Sequence, residues 1–404
     1  MQGSIPNHLK LVPFFIFVIL FVGCQKASIR EPKPFISPES ITSEPPNLEP
    51  TLSPTSAPTL IPTTISPAHI PTAIPTITPQ ATSVATPFPI ATPYPYPLSE
   101  ITIPFMRARS FLGGQIHTRS ILEESSAFTR YYIDYPSDDL TVTGIMHMPA
   151  GEGPFPVLIL LHGYYDRDRY FSGAGTTQAA EHFAKQGYLV LAPDFRSWGE
   201  SDSGISLFHM GLVTDVLNLI SSISSINEAD PGRIGIWGHS MGGGIATKVL
   251  TIDERVKAAV LYAPNSADDR DLIDRWGPGC LPRQSEKAGD KCNPAEIIPE
   301  ESSHVLAQAY LSAATSSAYP SEIAPLFHLE HVVAPVQIHI GTADGASIEQ
   351  TPPEWSEKLA GALQARGKEV DYFVYPEQGH FFQGESFSIM LDRALQLFDA
   401  ELKP

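Results

Sequence analysis

The segment Arg233 to Leu250 reads RIGIWGHSMGGGIATKVL and contains G-x-S-x-G, with Ser240 between a run of β-formers and a helical pattern. Gly238, Gly242, Gly243 and Gly244 carry no Cβ, which permits a tight strand-to-helix turn and close packing of the helix on the strand. Such a turn lifts the serine hydroxyl to the end of the strand, facing the free N–H groups of a helix N-terminus, where a developing anion is stabilised. A serine hydroxyl is a weak nucleophile, so it needs a base, and the base needs an acid to orient it. Asp344 in IHIGTADGASIE follows an apolar run, and His380 in YPEQGHFFQG follows another, so both can reach the same strand ends. Asp268 and Asp269, after the preceding apolar run, compete with Asp344 for the acid role. An oxyanion hole needs two N–H donors, expected from Met241 after the nucleophile and from Tyr164 in LLHGYYDRD. No H-E-x-x-H or Cys/His cluster occurs, so no metal is expected, and acyl transfer of this kind requires no cofactor. His117, His209, His304, His328 and His331 fit no constellation and read as surface or core residues.

The elements that must carry these residues follow from hydrophobic periodicity. The alternating runs FTRYYIDYP and TVTGIMHMPA flank Ser137-Asp138-Asp139 and predict an antiparallel hairpin. PVLILLHG, GYLVLAPD, RIGIWGHS, VKAAVLYAP, APVQIHIG and EVDYFVYP are short apolar runs separated by helical patterns at 176–186, 207–225, 245–250 and 355–366, with a last helix ending at Leu402. Continuous apolar runs suit strands buried on both faces, so the fold class is α/β, with a mostly parallel, doubly wound sheet. The rhythm breaks between Pro264 and Val336, an interval too long for an ordinary loop. It predicts an inserted cap at about 265–332, with a helix around 304–317.

The N-terminal quarter is of another kind. HLKLVPFFIFVILFVGCQK holds about a dozen apolar residues, short of the ~20 that cross a bilayer, so residues 1–24 read as an export signal. Val22-Gly23-Cys24 resembles a bacterial lipoprotein lipobox, which implies lipid attachment at Cys24; an ordinary secretory signal or an uncleaved anchor is the alternative. From Glu31 to Glu100 there is no glycine, and Pro, Thr and Ser recur as in PTLIPTTISPAHIPTAIPTITP. Residues 25–104 are therefore expected to form an extended tether, placing a globular domain at 105–404 outside the cytoplasm. With Cys24 assigned to lipid, Cys280 and Cys292 remain as a pair, and an oxidising compartment favours a disulfide between them. The net charge of -18 argues against a nucleic-acid partner. Oligomeric state is not legible.

Taken together, PVLILLHG, LAPDFRSWGESD, GRIGIWGHSMGGG, VVAPVQIHIGTADG and VYPEQGHFFQG resemble the α/β-hydrolase superfamily from Phe128 to Pro404. More narrowly, the chain is similar to the catalytic domain of the prolyl-oligopeptidase family and to dienelactone-hydrolase-like esterases. The resemblance implies Ser240 as nucleophile, Asp344 as acid, His380 as base and Tyr164 and Met241 as oxyanion donors, with Asp194 and Arg196 structural. Nothing before Phe128 could build the β-propeller of prolyl oligopeptidases. The expected activity is hydrolysis of small carboxylic esters, with cleavage of short peptides as the alternative and an inactive binding protein as a third reading.

Overall fold

In the computed structural model, residues 98–281, 291–298 and 303–403 are described. Cys24, the export signal and the tether up to residue 97 lie outside these residues.

Helix α1 (Ile103–Ala108) comes first, followed by strands β1 (His117–Glu124), β2 (Phe128–Ser137), β3 (Leu140–Pro149) and β4 (Phe155–Leu161). Next come α2 (Thr177–Lys185), β5 (Leu189–Pro193), α3 (Met210–Ser222), β6 (Ala229–His239), α4 (Met241–Ile252) and β7 (Val256–Tyr262). The chain continues through α5 (Asp269–Trp276), α6 (His304–Thr315) and α7 (Tyr319–Ile323) before β8 (Val336–Gly341), α8 (Pro353–Ala365), β9 (Val370–Tyr375) and α9 (Glu385–Leu402).

The strands form a nine-stranded sheet in the order β1-β2-β3-β5-β4-β6-β7-β8-β9. Pairing is antiparallel from β1 through β3 to β5 and parallel across β5, β4, β6, β7, β8 and β9. Because successive side chains leave a strand on opposite faces, Val157, Ile159 and Leu161 of β4 enter one core while Leu158 and Leu160 enter the other. The first core is completed by α3, α4 and α8 through residues such as Val213, Val249 and Leu359. The second is completed by α2 and α9 through Phe183, Met390 and Phe398. Helices on both faces of a mostly parallel sheet make this a doubly wound α/β fold, as the alternation of patterns predicts.

Two elements were not legible. Strand β1 is an edge strand whose side chains are exposed along nearly its whole length, so it shows no apolar alternation. The tether was expected to run to residue 104, yet Leu98, Ile103 and Met106 are buried in the first core. Pro104, read as tether composition, stands in the first turn of α1, where a missing N–H costs nothing, and the Thr102 side chain caps that helix.

Between β7 and β8 the chain runs through α5, α6 and α7. Cys280 and Cys292 are joined by a disulfide. Ser206 and Ile297 exchange backbone hydrogen bonds at 3.0 and 2.9 Å, and the rings of Tyr310 and Tyr319 pack on Phe208. These contacts tie the long interval to the loop that precedes α3.

Candidate active site

Parallel pairing brings the C-terminal ends of the central strands level. Leu161 pairs with Gly238, His239 with Tyr262, Tyr262 with His339, and Gly341 with Tyr375. The loops that leave these ends carry Tyr164, Ser240, Asp344 and His380, so one edge of the sheet collects residues far apart in the chain.

Ser240 joins β6 to α4 with φ 55° and ψ -118°, a conformation that costs a non-glycine residue roughly 1–3 kcal/mol. Three backbone hydrogen bonds hold it there. Its N–H donates to Tyr262 O at 2.9 Å, and its carbonyl accepts from Asn265 N at 2.9 Å and Gly244 N at 3.1 Å. The absence of side chains nearby is a steric requirement: a Cβ on Gly238 would run into the Gly242 backbone, and one on Gly242 into the carbonyls of Leu161 and His162.

The hydroxyl of Ser240 lies 2.9 Å from His380 Nε2. On the other side of the ring, Nδ1 is 3.1 and 3.0 Å from the two carboxylate oxygens of Asp344. A carboxylate at neutral pH only accepts, so the proton resides on Nδ1 and the lone pair of Nε2 faces the serine. Asp344 is held in turn by Gly345 N at 2.8 Å and by the hydroxyl of Thr351 at 3.0 Å. Ser240, His380 and Asp344 are 8%, 6% and 5% exposed, so the set is screened from bulk water while its serine stays within reach. Asp268 and Asp269 are engaged elsewhere. Asp268 pairs with Lys358 at 2.8 Å and caps α5, and Asp269 pairs with Lys248 at 2.6 Å in the interior.

The loop after β4 passes directly over Ser240, since a Cβ on Gly163 would stand 3.2 Å from Ser240 Cβ. His162 orients that loop. Its Nδ1 is 2.6 Å from Gly163 O, and its Nε2 is 3.0 Å from Asp194 O. Both ring nitrogens thus face carbonyl oxygens, and Gly163 O points at the ring. In a planar trans peptide C=O and N–H point in opposite directions, so with Gly163 O towards the ring the Tyr164 N–H points away from His162. Met241 is the first residue of α4, with its N–H at the helix N-terminus. Tyr164 is partly exposed, and its ring meets Trp198 edge-on at 6.3 Å. Asp194 accepts from Thr143, Tyr170 and Ser172, and Arg196 pairs with Asp215 at 2.7 Å, so both serve as internal ties.

Two residues at the site escaped sequence reasoning. Thr351 follows Asp344 by seven positions in a stretch with no motif. His239 is the first variable residue of G-x-S-x-G, the only signal it carries. It is buried, its Nε2 donates to His380 O at 2.9 Å, and its ring packs on Tyr262, His380 and Phe381 at 4.4–4.8 Å. Burial, reinforced by the neighbouring His380, pushes its pKa down to about 3, so it stays neutral beside the His380 ring.

Among the described residues, no helix is long and apolar enough to cross a membrane.

Residues 158–395 match the model of a family described as the alpha/beta hydrolase family. The quorum-quenching protein AidA of Acinetobacter baumannii is 28% identical over 134 residues, which is 33% of this chain and 43% of that protein. The polyketide transferase ATR5 of Stachybotrys chlorohalonatus is 28% identical over 53% of this chain and 71% of its own length. Among solved structures, acetyl xylan esterase 1 from Thermoanaerobacterium sp. superposes with a TM-score of 0.52 at 19% identity, covering 78% of this chain and 96% of that one. Pyrococcus horikoshii acylaminoacyl peptidase gives 0.50 at 20% identity, covering 69% of this chain and 42% of that one. These structural likenesses establish the shared fold.

Proposed function

The chain belongs to the alpha/beta hydrolase family, and on that premise we propose that it is an exported serine hydrolase that cleaves small carboxylic esters. The observation that carries this reading is the 2.9 Å contact of Ser240 Oγ with His380 Nε2, in a ring whose other nitrogen is held by Asp344. Ser240 attacks the ester carbonyl while His380 takes its proton. Tyr164 N–H and Met241 N–H stabilise the tetrahedral oxyanion, and His380 then protonates the departing alcohol to leave an acyl-enzyme. Water, activated by the same imidazole, releases the acid and restores the serine.

Esters are favoured over peptides on chemical grounds. An alkoxide leaves a tetrahedral intermediate more readily than an amine, which has to be protonated first, so an ester asks less of His380 than an amide does. The Cys280–Cys292 disulfide supports an extracytoplasmic location, because such bonds persist in oxidising compartments. Lipid attachment at Cys24 completes the proposal, with the 265–332 interval as a cap. Metabolic labelling with a fatty-acid analogue, lost in Cys24→Ala, tests the anchor.

The catalytic reading is tested by kcat/KM of the full chain on a short acyl ester and a dipeptidyl anilide, each compared with Ser240→Ala. Ester turnover that disappears in the variant supports the proposal. Equal turnover of the anilide replaces it with a peptidase, and ester turnover that survives Ser240→Ala overturns it.

A further inference from the structure

A separate group of ligating side chains lies on the turn that returns the chain from the inserted interval to β8. Residues Leu329–His331 form a 3-10 turn, closed by the bond from His331 N to His328 O at 3.1 Å. With three residues per turn, side chains three apart eclipse one another, so the rings of His328 and His331 share a face. Ring nitrogens of His328 and His331 and a carboxylate oxygen of Glu330 all lie within 4.8 Å of one another. His331 Nε2 is 3.6 Å from the Glu330 carboxylate.

The surroundings suit a ligand set. His328 Nε2 lies 2.9 Å from Ser321 O, and since a carbonyl only accepts, the proton is on Nε2 and Nδ1 keeps its lone pair. An imidazole that ligates a metal commonly gives its second N–H to a carbonyl in this way, which fixes tautomer and ring angle. The backbone of the turn is pinned, because Lys368 Nζ donates to Glu330 O at 2.7 Å and Arg366 donates to Leu326 O at 3.2 Å. Lys368 is thereby committed to a carbonyl. Glu322 adds a second negative charge near His328. His328 and His331 are partly buried and Glu330 is exposed, so their side chains are free to close by about an ångström onto an ion bound at the ~2.0–2.2 Å usual for nitrogen and oxygen ligands.

We propose that His328, Glu330 and His331 bind one Zn²⁺ ion, with water completing its coordination. Two imidazoles and a carboxylate suit this borderline cation, whereas Mg²⁺ and Ca²⁺ prefer oxygen alone. The ion would tie the end of the inserted interval just before β8, and the proposal stands independently of the catalytic reading.

The test is calorimetric titration of ZnCl2 into the untagged full chain after dialysis against a chelator. The expected result is saturable binding of one ion per chain, weakened at least tenfold in both His331→Ala and Glu330→Gln, with no comparable heat from MgCl2. The thermal midpoint should rise with Zn²⁺ in the wild type and rise less at the same Zn²⁺ concentration in His331→Ala. Both altered positions are solvent-accessible, and far-UV circular dichroism verifies that each variant is folded. Absence of saturable binding in the wild type, or wild-type binding in both variants, overturns the proposal.

Discussion

The hydroxyl of Thr351 bridges Asp344 and His380: Oγ1 lies 3.0 Å from Asp344 Oδ2 and 3.3 Å from His380 Nδ1, and also 3.0 Å from Ala263 O. It carries one proton, which serves the carboxylate or the carbonyl. Thr351 is wholly buried, so no water replaces that donor once it is removed. Thr351→Val keeps the shape and deletes the hydroxyl. A hydrogen bond worth about 1–1.5 kcal/mol corresponds to a fall in kcat of roughly tenfold, with KM unchanged and activity restored in Thr351→Ser. Steady-state kinetics on the ester checks this.

The acid assignment has its own test. Asp344→Asn should lower kcat by about 10³–10⁴-fold, because an amide in that place favours the wrong imidazole tautomer. Asp268→Asn should leave kcat within a few-fold, since Asp268 faces Lys358 and the end of α5. Equal losses in the two variants would return Asp268 to contention.

Lys248 and Asp269 form an interior ion pair, each side chain 3% exposed, with Lys248 also donating to Ile323 O at 2.9 Å. Lys248→Met strands a carboxylate in the interior and should cost about 3–5 kcal/mol. Lys248→Met combined with Asp269→Leu should recover most of that loss. Urea unfolding of wild type, Lys248→Met and the double variant measures both numbers, and a double variant no more stable than Lys248→Met would refute the pairing argument.

Four buried histidines make stability depend on acid. Burial lowers His147 to about 4 and His209, His239 and His339 to about 3, all below the unfolded value of 6.5. Between pH 6.5 and the folded values the unfolded chain binds more protons, so stability is full above 6.5 and is lost as pH falls towards 3 to 4. Both ring nitrogens of His147 lack a hydrogen bond, and the ring lies against Phe128. His147→Phe should therefore raise the unfolding midpoint at pH 5, where the histidine costs about 2 kcal/mol, by more than at pH 8. Thermal unfolding at the two pH values decides it. An equal shift at both would show that only packing changed.

How much of this was legible depends on the range of the interaction. Apolar runs report strands buried on both faces, and the pattern after each reports the helix that covers them, so the order of elements could be read locally. Strand β1 could not, because an exposed edge has no apolar signature. The place of Leu98 in the domain was hidden by composition: Pro104 stands in a helix beside Leu98, Ile103 and Met106, which enter the core.

For the site, the sequence by itself determined the elements and the candidates. G-x-S-x-G after a strand specifies a tight turn through local sterics, and a parallel sheet necessarily brings all strand C-termini to one edge. Asp344, Asp268 and Asp269 all satisfied that rule. Only the tertiary structure brought the Asp344 carboxylate to His380 while turning the other two towards Lys358 and Lys248. The same holds for Thr351, for His239 and for the turn of the Tyr164 peptide by His162. Their roles rest on side-chain distances of about 3 Å between residues brought together from different loops, and such distances are set by the packing of whole elements, which no local pattern encodes.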